Sequence, residues 1–448
     1  MPAWDALVVG GGVAGLVAAR ELAHAGLRTL VLEGRDVAGG AVAGHTVAGL
    51  RLDAGAESFA TRGGTVAALL DELGLTDRVR TPEPRGSWVH LPHGDGPLPR
   101  TGLLGIPAHP WAADVRRTLG LVGAARASLD LVLPPRAEPT LGALVRRRMG
   151  VRVLDRLVRP VVGGVHAADP DDLAVGAVAP GLVDALRRER GSLARAVRSL
   201  RASAPAGSAV QGVDGGMQVL VEALVADLEA HGGELRTGAV VQAVAETPEG
   251  WTTGDDTAPR LVLATPAAVG LLRLDGVGTP DPGAAVTLVT LVLDAPELDD
   301  APRGTGVLVA AEATDVAAKA LTHGTAKWGW LADAAGPGRH VVRLSYGRAG
   351  DRDGARRPEA DDELVATALA DASVLLGTPL RPQQVAGHAV SRWSQALPRP
   401  SAAHQAVVRA VRDAVAEHEG LAVCGAWVAG NGLASVVPDA RAAARSLL

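Results

Sequence analysis

A single cysteine, Cys424, stands in a chain of 448 residues. That excludes an intramolecular disulfide and any cysteine-ligated metal cluster, and it suits a reducing cytoplasm. Aromatics are also scarce, with one Phe and one Tyr against eight Trp. Beside the abundant Ala, Gly, Val and Arg, this skew reads as the bias of a GC-rich genome, not as a structural message. No run of about 20 apolar residues free of charge occurs, so no segment is expected to span a bilayer as a helix. Excess positive charge is missing too: the formal net charge is −5, which argues against a polyanion-binding surface and against nucleic acid as a partner. The opening MPAWDALVVGGG has no basic stretch and runs directly into glycines, so it is not read as a signal peptide. The expected location is the cytoplasm, with peripheral membrane contact left open.

What the chain does have is apolar mass, 47% of its residues, and a length that calls for two or three lobes. Ala6 to Val9 is a short apolar run ending in glycines, the pattern of a buried parallel strand. Val13 to Ala25 has helical spacing and stops at Gly26, and Arg28 to Leu32 forms the next strand. A second strand–turn–helix pattern comes late, where Leu421 to Cys424 leads into GAWVAGNGLAS. Between them, TLGALVRRRMG and LVDALRRERGSLARAVRSL read as amphipathic helices whose basic residues face solvent. Around 286–295 and 338–346 the period shifts towards strands. Two chain ends building one domain around a separate middle follows from this order.

Gly10, Gly11, Gly12, Val13, Ala14 and Gly15 satisfy G-x-G-x-x-G directly after a strand. The first glycine serves a tight turn, the second lets the backbone approach a pyrophosphate, and the third lets helix and strand pack closely. The helix that follows offers free N–H groups to phosphates. Glu33 closes the second strand about 20 residues on, where a carboxylate accepts ribose hydroxyls. A glycine turn beside an exposed Glu is the bland alternative, and the context outweighs it.

The residues after Glu33 separate nicotinamide from flavin. Glu33-Gly34-Arg35 followed by Gly39-Gly40 matches an extended flavoprotein signature. The segment Leu52 to Phe59, with Gly55, Ala56, Glu57 and Ser58, resembles the stretch that passes near the flavin in amine-oxidase-like proteins. Gly212 to Met217, Val241 and Val262 to Pro266 resemble further motifs of that superfamily, Val241 at a position whose backbone meets adenine. The segment Gly425 to Ser435 resembles its closing motif, which implies Ala426, Asn431, Gly432 and Leu433 near the cofactor. Within the superfamily, Gly163 to Leu173, Gly304 to Leu308, Lys327-Trp328, Arg343 to Arg348 and Arg392-Trp393 are similar to the porphyrinogen oxidases of haem synthesis. The family usually carries an aromatic where Thr305 and His166 stand, and its Tyr-x-x-Gly-His appears only as Pro400 to His404.

The resemblance implies an α/β plus α+β fold. Its parts are a Rossmann-like FAD-binding domain from both chain ends (1–84, 206–285 and 415–448), a helical lobe (85–205) and an amine-oxidase-like substrate domain (286–414). It implies FAD, held also by Gly40 and Trp393, and O2-driven six-electron oxidation of coproporphyrinogen III with H2O2 release. The chemistry belongs to flavin N5, so no catalytic side chain and no metal are assigned. Arg85 matches a position near a propionate, and Arg62, Lys319 and Arg343 are weaker candidates. Gly164, His166, Thr305 and Gly306 are implied in the substrate pocket, with the Gly306 or Gly164 carbonyl accepting pyrrole N–H bonds. Transient contact with haem-pathway enzymes or a membrane surface is a further expectation, and the oligomeric state is open. The competing readings are protoporphyrinogen oxidase, an amine or carotenoid oxidoreductase, and a carrier on the same fold without FAD.

Overall fold

The computed structural model describes residues 4–100, 102–166, 169–178, 181–203, 209–273, 277–278, 280, 283–347, 360–397 and 402–448. The chain divides into two units, Met1–Pro82 with Ser208–Gly283 and Trp393–Leu448, and Glu83–Gly207 with Ala284–Arg392.

The first unit is built on five parallel strands in the order Glu234–Arg236, Thr29–Leu32, Ala6–Val9, Arg260–Leu263, Leu421–Val423. In chain order this is 3-2-1-4-5, a doubly wound sheet whose direction of growth reverses between Ala6–Val9 and Arg260–Leu263. Ala6–Val9 and Thr29–Leu32 are buried along their whole length because both faces of the sheet are covered. Alternation along each strand divides the side chains. Val8, Val31, Val262 and Ala422 pack with helices Val13–His24, Gln218–Ala230 and Leu433–Arg445. Leu7, Leu30, Leu261 and Leu421 face the opposite way, onto Trp251, Val411 and Trp427.

The second unit holds a seven-stranded sheet ordered Val385–Leu397, Ala284–Asp294, Arg339–Tyr346, Ala320–His323, Gly306–Val309, Trp88–Leu91, Gly94–Pro97. It is antiparallel at every pairing given a register except Gly306–Val309 beside Trp88–Leu91. Helix Asp361–Leu376 packs on one face through Leu364, Ala368, Leu375 and Leu376. A separate all-helical core gathers Leu119, Leu141, Val145, Leu157 and Val197.

The basic run between 140 and 200 departs from the expected solvated face. Arg148 is 2% exposed, and its Nε donates to Asp130 Oδ1 at 2.7 Å. Asp130 also accepts from Ser192 Oγ at 2.7 Å and from the Leu193 and Ala194 N–H groups at 2.9 Å. One buried carboxylate therefore neutralises a guanidinium and satisfies the open end of helix Leu193–Ser203. Arg159 is likewise tied to Asp155, Asp169 and Asp171.

Candidate functional site: a dinucleotide cradle

Gly10, Gly11 and Gly15 of the first turn are each required by a specific approach. A Cβ on Gly10, where φ is +109°, would lie 2.9 Å from the Ala264 carbonyl oxygen, the backbone just past the neighbouring strand. On Gly11 it would lie 2.8 Å from Glu33 Cβ, and on Gly15 only 1.8 Å from the Gly10 carbonyl oxygen. The turn thus sits at the reversal of the sheet, with the helix pressed against it. Gly12 caps helix Val13–His24 without any side-chain bond, and the helix's first turn carries no acid. Its N–H groups and positive end are left for an anion.

Glu33 is already oriented. Its Oε2 accepts from Gly11 N at 2.7 Å and its Oε1 from Arg35 N at 2.9 Å. Gly39 N donates to the Gly11 carbonyl at 2.8 Å, folding Gly39-Gly40 over the turn. Ala239 N donates to the Glu33 carbonyl at 2.8 Å, which brings the 239–241 segment, Val241 included, to the end of the second strand. A carboxylate for ribose beside uncapped N–H groups for pyrophosphate is the donor and acceptor set that a dinucleotide needs.

The remaining motifs converge on the same unit. Gly55 admits no side chain, since a Cβ would lie 2.1 Å from the Ala41 carbonyl oxygen and 3.2 Å from the Trp393 ring. Trp393 donates through Nε1 to the Ala54 carbonyl at 2.9 Å, and Arg35 lies 5.3 Å from its ring centroid. Ala56, Glu57 and Ser58 follow in a half-buried stretch. Helix Leu433–Arg445 starts after Gly432, at φ +93°, again with no side-chain cap and no acid in its first turn. Half-buried Ala426 opens the short helix Ala426–Ala429 before it, half-buried Asn431 follows that helix, and Asp439 accepts from Gly425 N at 3.1 Å.

One residue of this unit was absent from the expected site set. Asp53 accepts from Met217 N at 2.8 Å and so ties the 52–59 segment to the turn at Gly215-Gly216. Its signal was an acid at the head of a run of small residues. Arg62, expected as a weak substrate residue, instead donates to Ser435 Oγ at 2.8 Å within the dinucleotide unit.

In the second unit Arg85 sits on a turn clasped from one side. The Gly86 carbonyl accepts from both Thr305 N and Thr305 Oγ1 at 2.8 Å, and Arg85 N donates to the Glu83 carbonyl at 2.8 Å. A Cβ on Gly304 would lie 2.4 Å from the Gly86 carbonyl oxygen, so that glycine sets how closely the two loops meet. The Thr305 hydroxyl is therefore spent on positioning the Arg85 turn. Gly306 opens the adjoining strand at φ +154°, and Arg85 lines a cavity of about 430 Å³. Arg343 lies on strand Arg339–Tyr346 and Lys319 just before the neighbouring strand Ala320–His323, Lys319 N bonding the Ser345 carbonyl at 2.8 Å. Gly164 and His166 belong to helix Arg159–His166, but the His166 side chain and Ala167-Ala168 lie outside the described residues. Arg348 and Pro400-Ser401 lie outside them as well.

The family model for flavin-containing amine oxidoreductases matches residues 13–276. A coproporphyrinogen III oxidase of Mycobacterium leprae is 31% identical, over 98% of this chain and 97% of its own length. A coproporphyrinogen III oxidase of Bacillus subtilis is 24% identical, over 99% of this chain and 97% of its own. Among solved structures, one from Exiguobacterium, assigned by its name to the protoporphyrinogen oxidases, superposes at a TM-score of 0.84 with 24% identity, covering 100% of this chain and 99% of the other. Cyclohexylamine oxidase from Brevibacterium oxydans reaches 0.65 at 17% identity, with 100% and 99% covered. The cofactor of this chain is FAD. With its glycine turn, its carboxylate and its closing helix all in place, the chain belongs to the flavin-containing amine oxidoreductase family.

Proposed function

We propose that this protein is an FAD-dependent oxidase that converts coproporphyrinogen III to coproporphyrin III in haem biosynthesis, with O2 as acceptor and H2O2 as by-product. The observation that carries the reading is the completed FAD cradle in a chain that aligns end to end with coproporphyrinogen III oxidases. The flavin, when bound, supplies the acceptor for hydride from a meso carbon. The chain's own part is to hold the dinucleotide through Glu33 and the uncapped helix ends, and to hold the macrocycle. Arg85 serves a propionate, because a guanidinium matches a carboxylate with two parallel bonds. The Gly306 or Gly164 carbonyl accepts pyrrole N–H bonds.

Among the described residues no helix is long and apolar enough to cross a membrane. The reading places the enzyme in the cytoplasm, where exposed Leu121, Val122 and Val132 suit brief contact with a membrane or a pathway partner.

Anaerobic mixing with coproporphyrinogen III should bleach the flavin and yield coproporphyrin III. An unreduced flavin would overturn the proposal. The second reading, protoporphyrinogen oxidation, is favoured by a chloroplast protoporphyrinogen oxidase of Oryza sativa, 29% identical over 50% of this chain. A higher kcat/KM with protoporphyrinogen IX would select it.

A further inference from the structure

The cavity beside Arg85 holds a chain of polar groups that the FAD reading does not use. His323 is fully buried, and its Nε2 lies 3.0 Å from His340 Nδ1. His340 Nε2 lies 2.9 Å from Asp299 Oδ1, and Thr325 Oγ1 lies 3.2 Å from His340 Nδ1. All four residues line the cavity with Arg85. The second nitrogen of His323, Nδ1, is buried and has no hydrogen-bond partner among the described residues. A buried, unpartnered imidazole nitrogen on a residue that lines a cavity needs a ligand atom or water to complete it.

The donors and acceptors fix the resting state. The Asp299 carboxylate only accepts, so His340 Nε2 carries a proton and neutral His340 presents a bare Nδ1. That lone pair accepts from His323 Nε2–H, which leaves His323 Nδ1 bare. A bare nitrogen repels a carboxylate. If a proton arrives at His323 Nδ1, the His323 Nε2 proton passes to His340 Nδ1. His323 stays neutral but now donates from Nδ1, while the charge rests on His340 against Asp299. Burial, His340 and Arg85 push the His323 pKa down to about 3, so the charge does not stay on His323.

We propose that this cavity binds a carboxylate together with one proton, the carboxylate lying between the Arg85 guanidinium and the Nδ1–H of His323. Arg85 is exposed and has no ion-pair partner among the described residues, so it is free to face the ligand. The other charged groups lining the cavity are Asp333, Asp299 and Arg339, the last held by Asp294 at 2.7 Å. The carboxylate is either a propionate arm of the porphyrin or a free small acid. Only the first source rests on the proposed function.

Calorimetric titration of the holoenzyme with coproporphyrin III and separately with glutarate, in buffers of different ionisation enthalpy, tests this. Binding should take up one proton and, over the pH range in which it does so, weaken about tenfold per pH unit. His323→Leu should abolish the uptake and weaken binding. Asp299→Asn, at an exposed position that spares the core, should move the proton-linked binding to lower pH. Uptake with coproporphyrin III identifies the propionate, and uptake with glutarate alone identifies a free acid. No uptake with either probe, or uptake unchanged in both variants, would overturn the proposal. Wild-type protein that fails to turn over coproporphyrinogen III, yet takes up a proton with glutarate, would reject the oxidase reading and leave this one standing.

Discussion

Replacing Glu33 tests the cradle most directly, because its carboxylate has two separable roles. Toward the protein it accepts from Gly11 N at 2.7 Å and from Arg35 N at 2.9 Å. Toward FAD its proposed role is to accept from a ribose hydroxyl. A hydrogen bond to a charged group contributes about 1.5–3 kcal/mol. Losing the ribose bond in Glu33→Ala should therefore weaken FAD binding by roughly 10- to 150-fold. The same variant leaves the buried Gly11 N–H without its acceptor, at a further cost of about 1–3 kcal/mol to the apoprotein. Glu33→Gln separates the two effects, since its amide oxygen still serves Gly11 while its NH2 group opposes Arg35 N–H. Apoprotein melting should fall in the order wild type, Gln, Ala, and FAD affinity, read by quenching of flavin fluorescence, should follow it. An Ala variant with wild-type FAD affinity and wild-type melting would refute the role given to Glu33.

Asp130→Ala leaves the Arg148 charge buried and unpaired, at about 3–5 kcal/mol. With roughly 2–4 °C per kcal/mol for a domain of this size, the calorimetric melting temperature should fall by about 6–20 °C. The hydrogen bond that His90 donates to Asp95 at 2.7 Å, against the opposing effect of burial and with help from Asp315, holds the His90 pKa above its ordinary value. That stabilisation is full below about pH 6.5 and is lost as pH rises through the elevated folded value, so urea midpoints of His90→Gln should differ most from wild type in acid and converge in alkali. Burial raises the Cys424 thiol pKa, and the native protein should leave a thiol reagent such as Ellman's unreacted until unfolded. Arg85→Ala should raise KM for coproporphyrinogen III while leaving bound FAD per protein unchanged, and an unaltered KM would dismiss Arg85 from substrate recognition.

The glycine turn was legible because most of its constraints are local. Gly15 answers the Gly10 carbonyl within the turn, and Gly11 answers Glu33 where the next strand ends, while Gly10 also meets the Ala264 carbonyl past a remote strand. Such geometry recurs at fixed spacing, so a reader of residues recovers it. The run Arg146-Arg147-Arg148 shows where this stops working. Successive helical positions turn by about 100°. Arg146 thus reaches Asp171, Arg147 reaches Glu138 and Arg148 enters the core, though the three letters are the same. The histidine chain is less legible still. His323 pairs with Val342 in the ladder, and the period of two puts His340 on the same face one diagonal step away. Asp299 arrives from a short turn after Pro296–Leu298. Only strand register and a remote turn bring the three together, and one residue of slip would send His323 to the other face. If the cavity selects the substrate, then the cofactor is encoded in motifs while the preference for a particular porphyrinogen is encoded in register, which motif comparison between family members does not read.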